Sequence, residues 1–156
     1  MAAGDITFFD LFKQSIADGA GSTLSGTPID WDTDVIKCAV MLPAWTPDTD
    51  ETTTQKHWSD ISANQVATAT AYTGPITMAS PTVSTTGGVT TVDFADVVIA
   101  LDAAGFTQGR RLAFYKEGGT DATSPLLAMG DLGADKSIVT GSLTFQWAGT
   151  GLFTIT

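Results

Sequence analysis

Three alternating aspartates form the first set of residues whose types and spacing could bind a metal. Asp30, Asp32 and Asp34 lie in the run "DWDTD", and clustered oxygens favour hard cations such as calcium. An EF-hand loop also needs Gly at its sixth position and Glu at its twelfth, where this chain has Val35 and Met41. We therefore predict a solvated acidic turn and no metal site, with a weak calcium site of another type as the alternative.

The single histidine and the single cysteine restrict the catalytic chemistry. Ser-His-Asp catalysis would have to use His57, which has no nucleophile motif such as G-x-S-x-G around it. Cys38 lies in an alternating apolar run, which predicts a buried hydrophobic residue, and being alone it forms no intramolecular disulfide. Two acids could still converge for glycoside hydrolysis, but nothing in the sequence selects a pair. We predict a protein that is not an enzyme, with no catalytic residue and no cofactor.

The tryptophans are the best candidates for contact with a partner. Trp45 lies in a proline-bounded loop and is predicted to be an exposed anchor, since interface hot spots are enriched in Trp. A carbohydrate-binding module with Trp45 or Trp58 as its sugar platform is an alternative. Trp147 alternates in register with apolar residues and is predicted to lie in the core. The predicted partner interface comprises Phe8, Phe12, Trp45, His57 and Trp58.

The composition limits the classes of partner. The formal net charge is −10, with 7 basic residues, so the basic stripe that phosphate contacts require is absent and we predict no binding to nucleic acid. No apolar stretch approaches the ~20 residues that span a bilayer, and the N-terminus lacks the pattern of a signal peptide. We predict no membrane association and synthesis in the cytoplasm.

The elements that must position these residues are mostly strands. Residues 5–19 are predicted to form one amphipathic helix, capped by Asp5 or Thr7 and ended by Gly19. From Val35 onward the apolar period is two, in runs that include "VIKCAVML", "VATATAY", "RRLAFYK" and a closing strand pair from Ser142. A change of parity between Val92 and Val97 predicts a bulge or short loop.

These runs predict an all-β domain. About seven to eight short strands separated by turn-rich segments are typical of an antiparallel β-sandwich or barrel, here with a short N-terminal helix. We divide the chain into residues 1–34, a helix and a flexible Gly/Ser segment that pack on the domain, and residues 35–156, the β-sandwich or barrel itself.

Two long segments resemble a family of small tailed-bacteriophage virion proteins. The C-terminal half resembles it through "YKEGGTDATSPLLAMGDLGADKSIVTGSLTFQWAGTGLFT", and the N-terminal half through "DGAGSTLSGTPIDWDTDVIKCAVML", "TPDTD" and "HWSDI". The resemblance covers most of the chain and is weakest between Ser84 and Ala100.

The resemblance implies a structural component of the virion. The expected role is capsid decoration: binding the major capsid protein on the outer surface of the icosahedral head and stabilising it. A tail-associated subunit (tube, terminator or tip) is the alternative. By analogy the protein is expected to form a homo-oligomer, with a trimer favoured.

Overall fold

An antiparallel β architecture is present in the computed structural model, which describes residues 5–18, 29–49, 54–147 and 151–155. The strands are β1 (Ile6–Phe8), β2 (Ile36–Met41), β3 (Ile76–Thr77), β4 (Thr82–Thr86), β5 (Val89–Asp93), β6 (Val97–Ile99), β7 (Gly109–Lys116), β8 (Leu126–Lys136), β9 (Leu143–Phe145) and β10 (Phe153–Ile155). The helices are α1 (Asp10–Asp18) and α2 (Trp58–Ile61), and 3-10 turns lie at Ser62–Asn64 and Asp121–Thr123. The predicted all-β fold with a short helix is confirmed. No helix within these ranges is long and apolar enough to cross a membrane.

The strands form three antiparallel sheets. The five-stranded sheet has the order β1-β8-β7-β2-β3, the three-stranded sheet the order β10-β5-β4, and β6 pairs with β9. As predicted from its apolar centre, β7 is an interior strand, with β8 on one side and β2 on the other. The central sheet is therefore the element on which the rest of the chain packs.

The central strands are buried on both faces. Ile36, Cys38 and Val40 of β2 lie in a larger core with residues of β5, β6 and β9. Ala39 and Met41, of the opposite parity, lie in a second, smaller core on the other face. Cys38 is fully buried, as predicted, and this burial raises the pKa of its thiol.

The N-terminal segment is a strand followed by a helix, which corrects the prediction of one helix over residues 5–19. β1 pairs with β8 at the edge of the five-stranded sheet, so its ladder replaces the first predicted helical turn. Phe12 of α1 is fully buried, whereas Ile16 is 52% exposed although the same pattern predicted its burial. Gly19 and the predicted flexible Gly/Ser segment lie outside the described residues.

The middle of the chain is less regular than its alternation predicted. Residues 66–72 form no strand; a backbone bond from Val66 N–H to the Val40 carbonyl holds the start of the segment against β2. The predicted break between Val92 and Val97 is confirmed, since β5 ends at Asp93 and β6 begins at Val97.

The two closing strands do not pair with each other, contrary to the predicted closing pair. β9 pairs with β6, and β10 pairs with β5. Because a break separates β5 from β6, their partner strands β10 and β9 belong to different sheets. Trp147, which follows β9, is held at this break: its Nε1 donates to the Ala95 carbonyl at 3.1 Å and its backbone N–H to Asp96 Oδ1 at 3.1 Å. It packs against the larger core as a half-buried residue. Residues 148–150, part of the predicted turn, lie outside the described ranges.

Candidate functional site

The predicted exposed anchor is buried. Trp45 is 2% exposed and Trp58 is 4% exposed, and both belong to the smaller core. They lie in the segment between β2 and residue 65, whose described parts (42–49 and 54–64) we call the cap. The prediction of an exposed Trp45 is wrong because the second face of β2 and β7 is also apolar and these tryptophans cover it.

Trp58 joins the cap to the loop between β7 and β8. Its ring stacks on Tyr115 with centroids 4.8 Å apart and an interplanar angle of 9°. The Trp58 N–H donates to the Ser124 carbonyl at 2.8 Å, and the Leu126 N–H donates to the Lys56 carbonyl at 2.8 Å. Burial raises the pKa of Tyr115. The cap and this loop therefore form one packed unit.

Trp45 is held in place by Arg111, which lies nearer the other end of β7 than Tyr115 does. Arg111 Nη1 donates to the carbonyls of Pro43 at 3.1 Å and Trp45 at 2.7 Å. Trp45 Nε1 donates to Gln55 Oε1 at 3.2 Å. With its ring buried and its N–H bonded, Trp45 has no free face for a sugar or a partner protein.

His57, the third cap residue predicted for an interface, lies half-buried just before α2. Asp60 Oδ2 accepts backbone N–H bonds from Lys56 and His57, both at 2.9 Å, and lies 4.0 Å from His57 Nδ1. Partial burial by itself raises the pKa of Asp60, but the backbone hydrogen bonds outweigh it and the pKa is lowered. The geometry is that of a helix start held by an ionised carboxylate.

The predicted Phe8 and Phe12 lie on the other side of the central sheet. Phe12 belongs to the larger core, and Phe8 packs against it. Phe8 meets Phe153 edge-on at 4.7 Å, and Phe12 meets Trp31 edge-on at 5.6 Å. The structure therefore does not bring the five predicted interface residues together, and it uses both phenylalanines within the fold.

The loop between β7 and β8 is the exposed part of the unit that contains Trp58. Residues 117–123 are all exposed, whereas Ser124 is buried. Ser124 Oγ accepts from the Gly118 N–H at 3.0 Å and donates to the Thr120 carbonyl at 2.8 Å. Thr123 Oγ1 accepts from the Thr120 N–H at 3.2 Å. We call residues 117–123 the ordered loop: an exposed surface whose shape is held by its own hydrogen bonds.

The aspartate run forms an acidic turn. Asp34 Oδ2 accepts the Asp30 N–H at 2.8 Å and pairs with Lys116 Nζ at 2.8 Å. A hydrogen bond shared between Asp30 and Asp32 lowers the pKa of Asp30 and raises that of Asp32. Within the described residues no group of three or more metal-ligating side chains could hold an ion.

The adjacent arginines point to opposite sides of β7. Arg110 Nε lies 3.3 Å from Asp131 Oδ1, while Arg111 is used by the cap. An open cleft of about 400 Å³ lies beside Asp131, between β8 and the segment around Phe145 to Trp147. Its one charged lining residue already has an internal partner, so the cleft has no site of evident charge complementarity.

No protein-family model, curated protein or solved structure matches this chain. The exposed surfaces that sequence reasoning missed are the ordered loop and the β4–β5 hairpin. Both are rich in Thr and Gly, and neither contains an aromatic residue, the residue type on which most of the predicted interface rested.

Proposed function

We propose that this protein is a non-enzymatic structural component of a tailed-bacteriophage virion, and specifically a capsid decoration protein. It binds the major capsid protein on the outer surface of the icosahedral head and stabilises the shell. The observation that carries the proposal is the sequence resemblance, which runs from "DGAGSTLSGTP" through "HWSDI" and again from "YKEGG" to the C-terminal strands.

The packing of the resembling segments supports this proposal. "HWSDI" contains Trp58, which stacks on the Tyr115 of "YKEGG" and bonds to the Ser124 of "SPL". Segments separated by more than fifty residues thus form one unit with an exposed loop held by its own hydrogen bonds, and a preorganised surface loses less conformational entropy on binding.

The contact surface we propose is the ordered loop. It presents hydroxyls, backbone groups and Asp121, while Glu117 at its start pairs with Lys37 at 3.4 Å. Many copies on a symmetric shell would multiply weak contacts of this kind. The carbohydrate-binding alternative is not retained, because the tryptophans that motivated it are buried.

The test mixes the purified protein with mature capsids that lack it. We expect co-sedimentation at a fixed copy number per shell and a higher temperature of shell disruption. Absence from the capsid pellet, with binding to tails or a six-fold ring in solution, would replace the proposal by the tail-associated alternative. Copy number also tests the trimer that the family resemblance favours.

Two variants locate the contact. Asp121→Lys changes the charge of the ordered loop, and Asp135→Lys makes the same change at an exposed carboxylate of β8 outside it. We expect weaker capsid binding for Asp121→Lys alone. Equal binding by both variants would remove the ordered loop from the interface without removing the decoration role.

A further inference from the structure

The β4–β5 hairpin has an open strand edge. β4 is the last strand of its sheet, and residues 82–89 are exposed without interruption. No backbone hydrogen bond from the described residues reaches the outer edge of β4. Exposed edges of this kind readily pair with another strand unless charges, bulges or prolines prevent it.

The turn of the hairpin determines which backbone groups face outward. Gly87 and Gly88 have φ angles of 61° and 83°, the left-handed pair expected in a two-residue type I′ turn. Thr86 and Val89 are then the hydrogen-bonded pair next to the turn. Alternation along β4 directs the N–H and C=O groups of Val83 and Thr85 away from β5.

The low charge of the hairpin permits a second copy of this chain as the occupant. The chain carries a net charge of −10, yet residues 82–93 contain a single charged residue, Asp93. Two copies can therefore approach at this hairpin without the repulsion expected elsewhere between acidic surfaces. Ser84 is the centre of β4, and the flanking residues are small or β-branched, which suits a strand pair.

Strand length also favours β4 as its own partner. β4 has 5 residues, whereas each of the other strands at a sheet edge has 2 or 3, namely β1, β3, β6, β9 and β10. Pro81, immediately before β4, has no N–H to donate, and the Gly-Gly turn ends the strand on the other side. Because Pro81 and the turn bound β4 at its two ends, pairing in one register is favoured. A closed pair of two copies is then favoured over open-ended aggregation.

We propose that β4 pairs antiparallel with β4 of a second copy about a two-fold axis at Ser84. In this register Val83 lies opposite Thr85 of the second copy, and each such pair exchanges two backbone hydrogen bonds. The three-stranded sheet becomes one continuous sheet across the dimer. Val83, 43% exposed in the single chain, gains a cross-strand neighbour.

The proposal goes beyond capsid binding and is tested without capsids. It also differs from the trimer favoured by the family resemblance, because an isologous contact of this kind closes as a dimer. Capsid binding can fail while the pairing stands, and the reverse also holds.

The first experiment uses cysteine cross-linking in the full chain. Ser84→Cys places two thiols opposite each other at the axis, while Thr82→Cys places them about four residues apart along the strands, roughly 13 Å. Cys38 is buried and is present in both variants, so any cross-linking through it contributes equally to the two yields. Under mild oxidation we expect a covalent dimer with Ser84→Cys and at least tenfold less with Thr82→Cys. Equal yields, or a monomeric Ser84→Cys chain, would overturn the pairing.

The second experiment measures association by sedimentation over a concentration series. Ser84→Lys sets like charges opposite each other, whereas Thr154→Lys adds the same charge to exposed β10, two strands away from the axis. We expect the wild-type chain to dimerise, Ser84→Lys to weaken the dimer several-fold, and Thr154→Lys to change it little. A wild-type monomer, a trimer, or a dimer insensitive to Ser84→Lys would each contradict the proposal.

Discussion

The cap and the β4–β5 hairpin show opposite relations between composition and exposure. The cap carries Trp45 and Trp58, residue types that favour interfaces, yet both are buried against β2 and β7. The hairpin consists mainly of Thr, Val, Ser and Gly, yet residues 82–89 are continuously exposed. Aromatic side chains in the cap thus stabilise the fold, while the outer backbone groups of β4 have no strand partner among the described residues.

The difference arises from what each segment covers. β2 and β7 are apolar on both faces, so a second layer is needed wherever the central sheet would otherwise meet water. The hairpin lies at the margin of the core: Val92 on the inner strand β5 is 1% exposed, whereas Val83, opposite it on the edge strand β4, is 43% exposed. The environment around a side chain decides whether it serves packing or recognition.

The largest expected effect is at the centre of the cap. Trp58→Ala removes a ring stacked on Tyr115 and should lower the free energy of unfolding by about 3–5 kcal/mol. Urea unfolding followed by circular dichroism measures it. Val98→Ala, at a side chain 64% exposed, is the control and should change stability by less than about 0.5 kcal/mol. A Trp58→Ala chain as stable as wild type would show that the cap does not form a core.

A similar contrast is expected within α1. Phe12→Ala should cost about 3–5 kcal/mol because Phe12 is fully buried. Ile16→Ala, one turn further along the same helix and 52% exposed, should change the free energy of unfolding by less than about 0.5 kcal/mol. Thermal unfolding of both variants makes the test. Comparable losses would show that Ile16 is covered and that the helix packs differently.

Adding a single methyl group at Gly118 should destabilise the ordered loop. A Cβ at Gly118 would overlap the Thr123 carbonyl, so Gly118→Ala should destabilise the chain by about 1–3 kcal/mol and disturb the loop. Gly141→Ala meets no atom nearby and is the matched control. Calorimetry and capsid binding are the measurements. Unchanged stability together with unchanged binding would mean that the loop is not rigid.

The smallest expected effect is at the start of α2. Asp60→Asn should lower the free energy of unfolding by about 1 kcal/mol near neutral pH, because it weakens the charge-assisted bonds from Lys56 and His57. The measurement is urea unfolding at several pH values.

The pH dependence of this difference follows from the lowered pKa of Asp60. Stability from its ionised form is fully present above the unfolded-state pKa and is lost as the pH falls through the lower folded-state pKa. The gap between wild type and Asp60→Asn should therefore close in the acid range. Asp48→Asn, the same substitution at an exposed carboxylate of the cap, is the control, and a gap independent of pH would contradict the assignment.

Much of the fold was predictable from local patterns. The alternation in β2, the apolar centre of β7 and the parity change between Val92 and Val97 each predicted an element or a break that the structure contains. Cys38 was predicted to be buried for the same reason. These predictions succeed because side-chain period and backbone geometry are coupled within a few residues.

The candidate site was much less predictable. Trp45 was expected to be exposed because a proline-bounded loop usually lies on the surface, and sequence spacing contains no information that a second apolar face lies beneath it. The closing strands were expected to pair because they are neighbours in sequence, whereas they pair with β6 and β5. Both errors concern which distant segments meet.

Composition and alternation were enough to predict an acidic, mostly β chain of short strands, with one apolar face on β2 and an interior position for β7. The tertiary structure was needed to show that the central sheet has two covered faces, that the tryptophans of the cap are buried, and that no described segment pairs with the outer edge of β4. The physical reason is that alternation specifies the two sides of a strand, while burial and free edges depend on the strands and loops that lie against it.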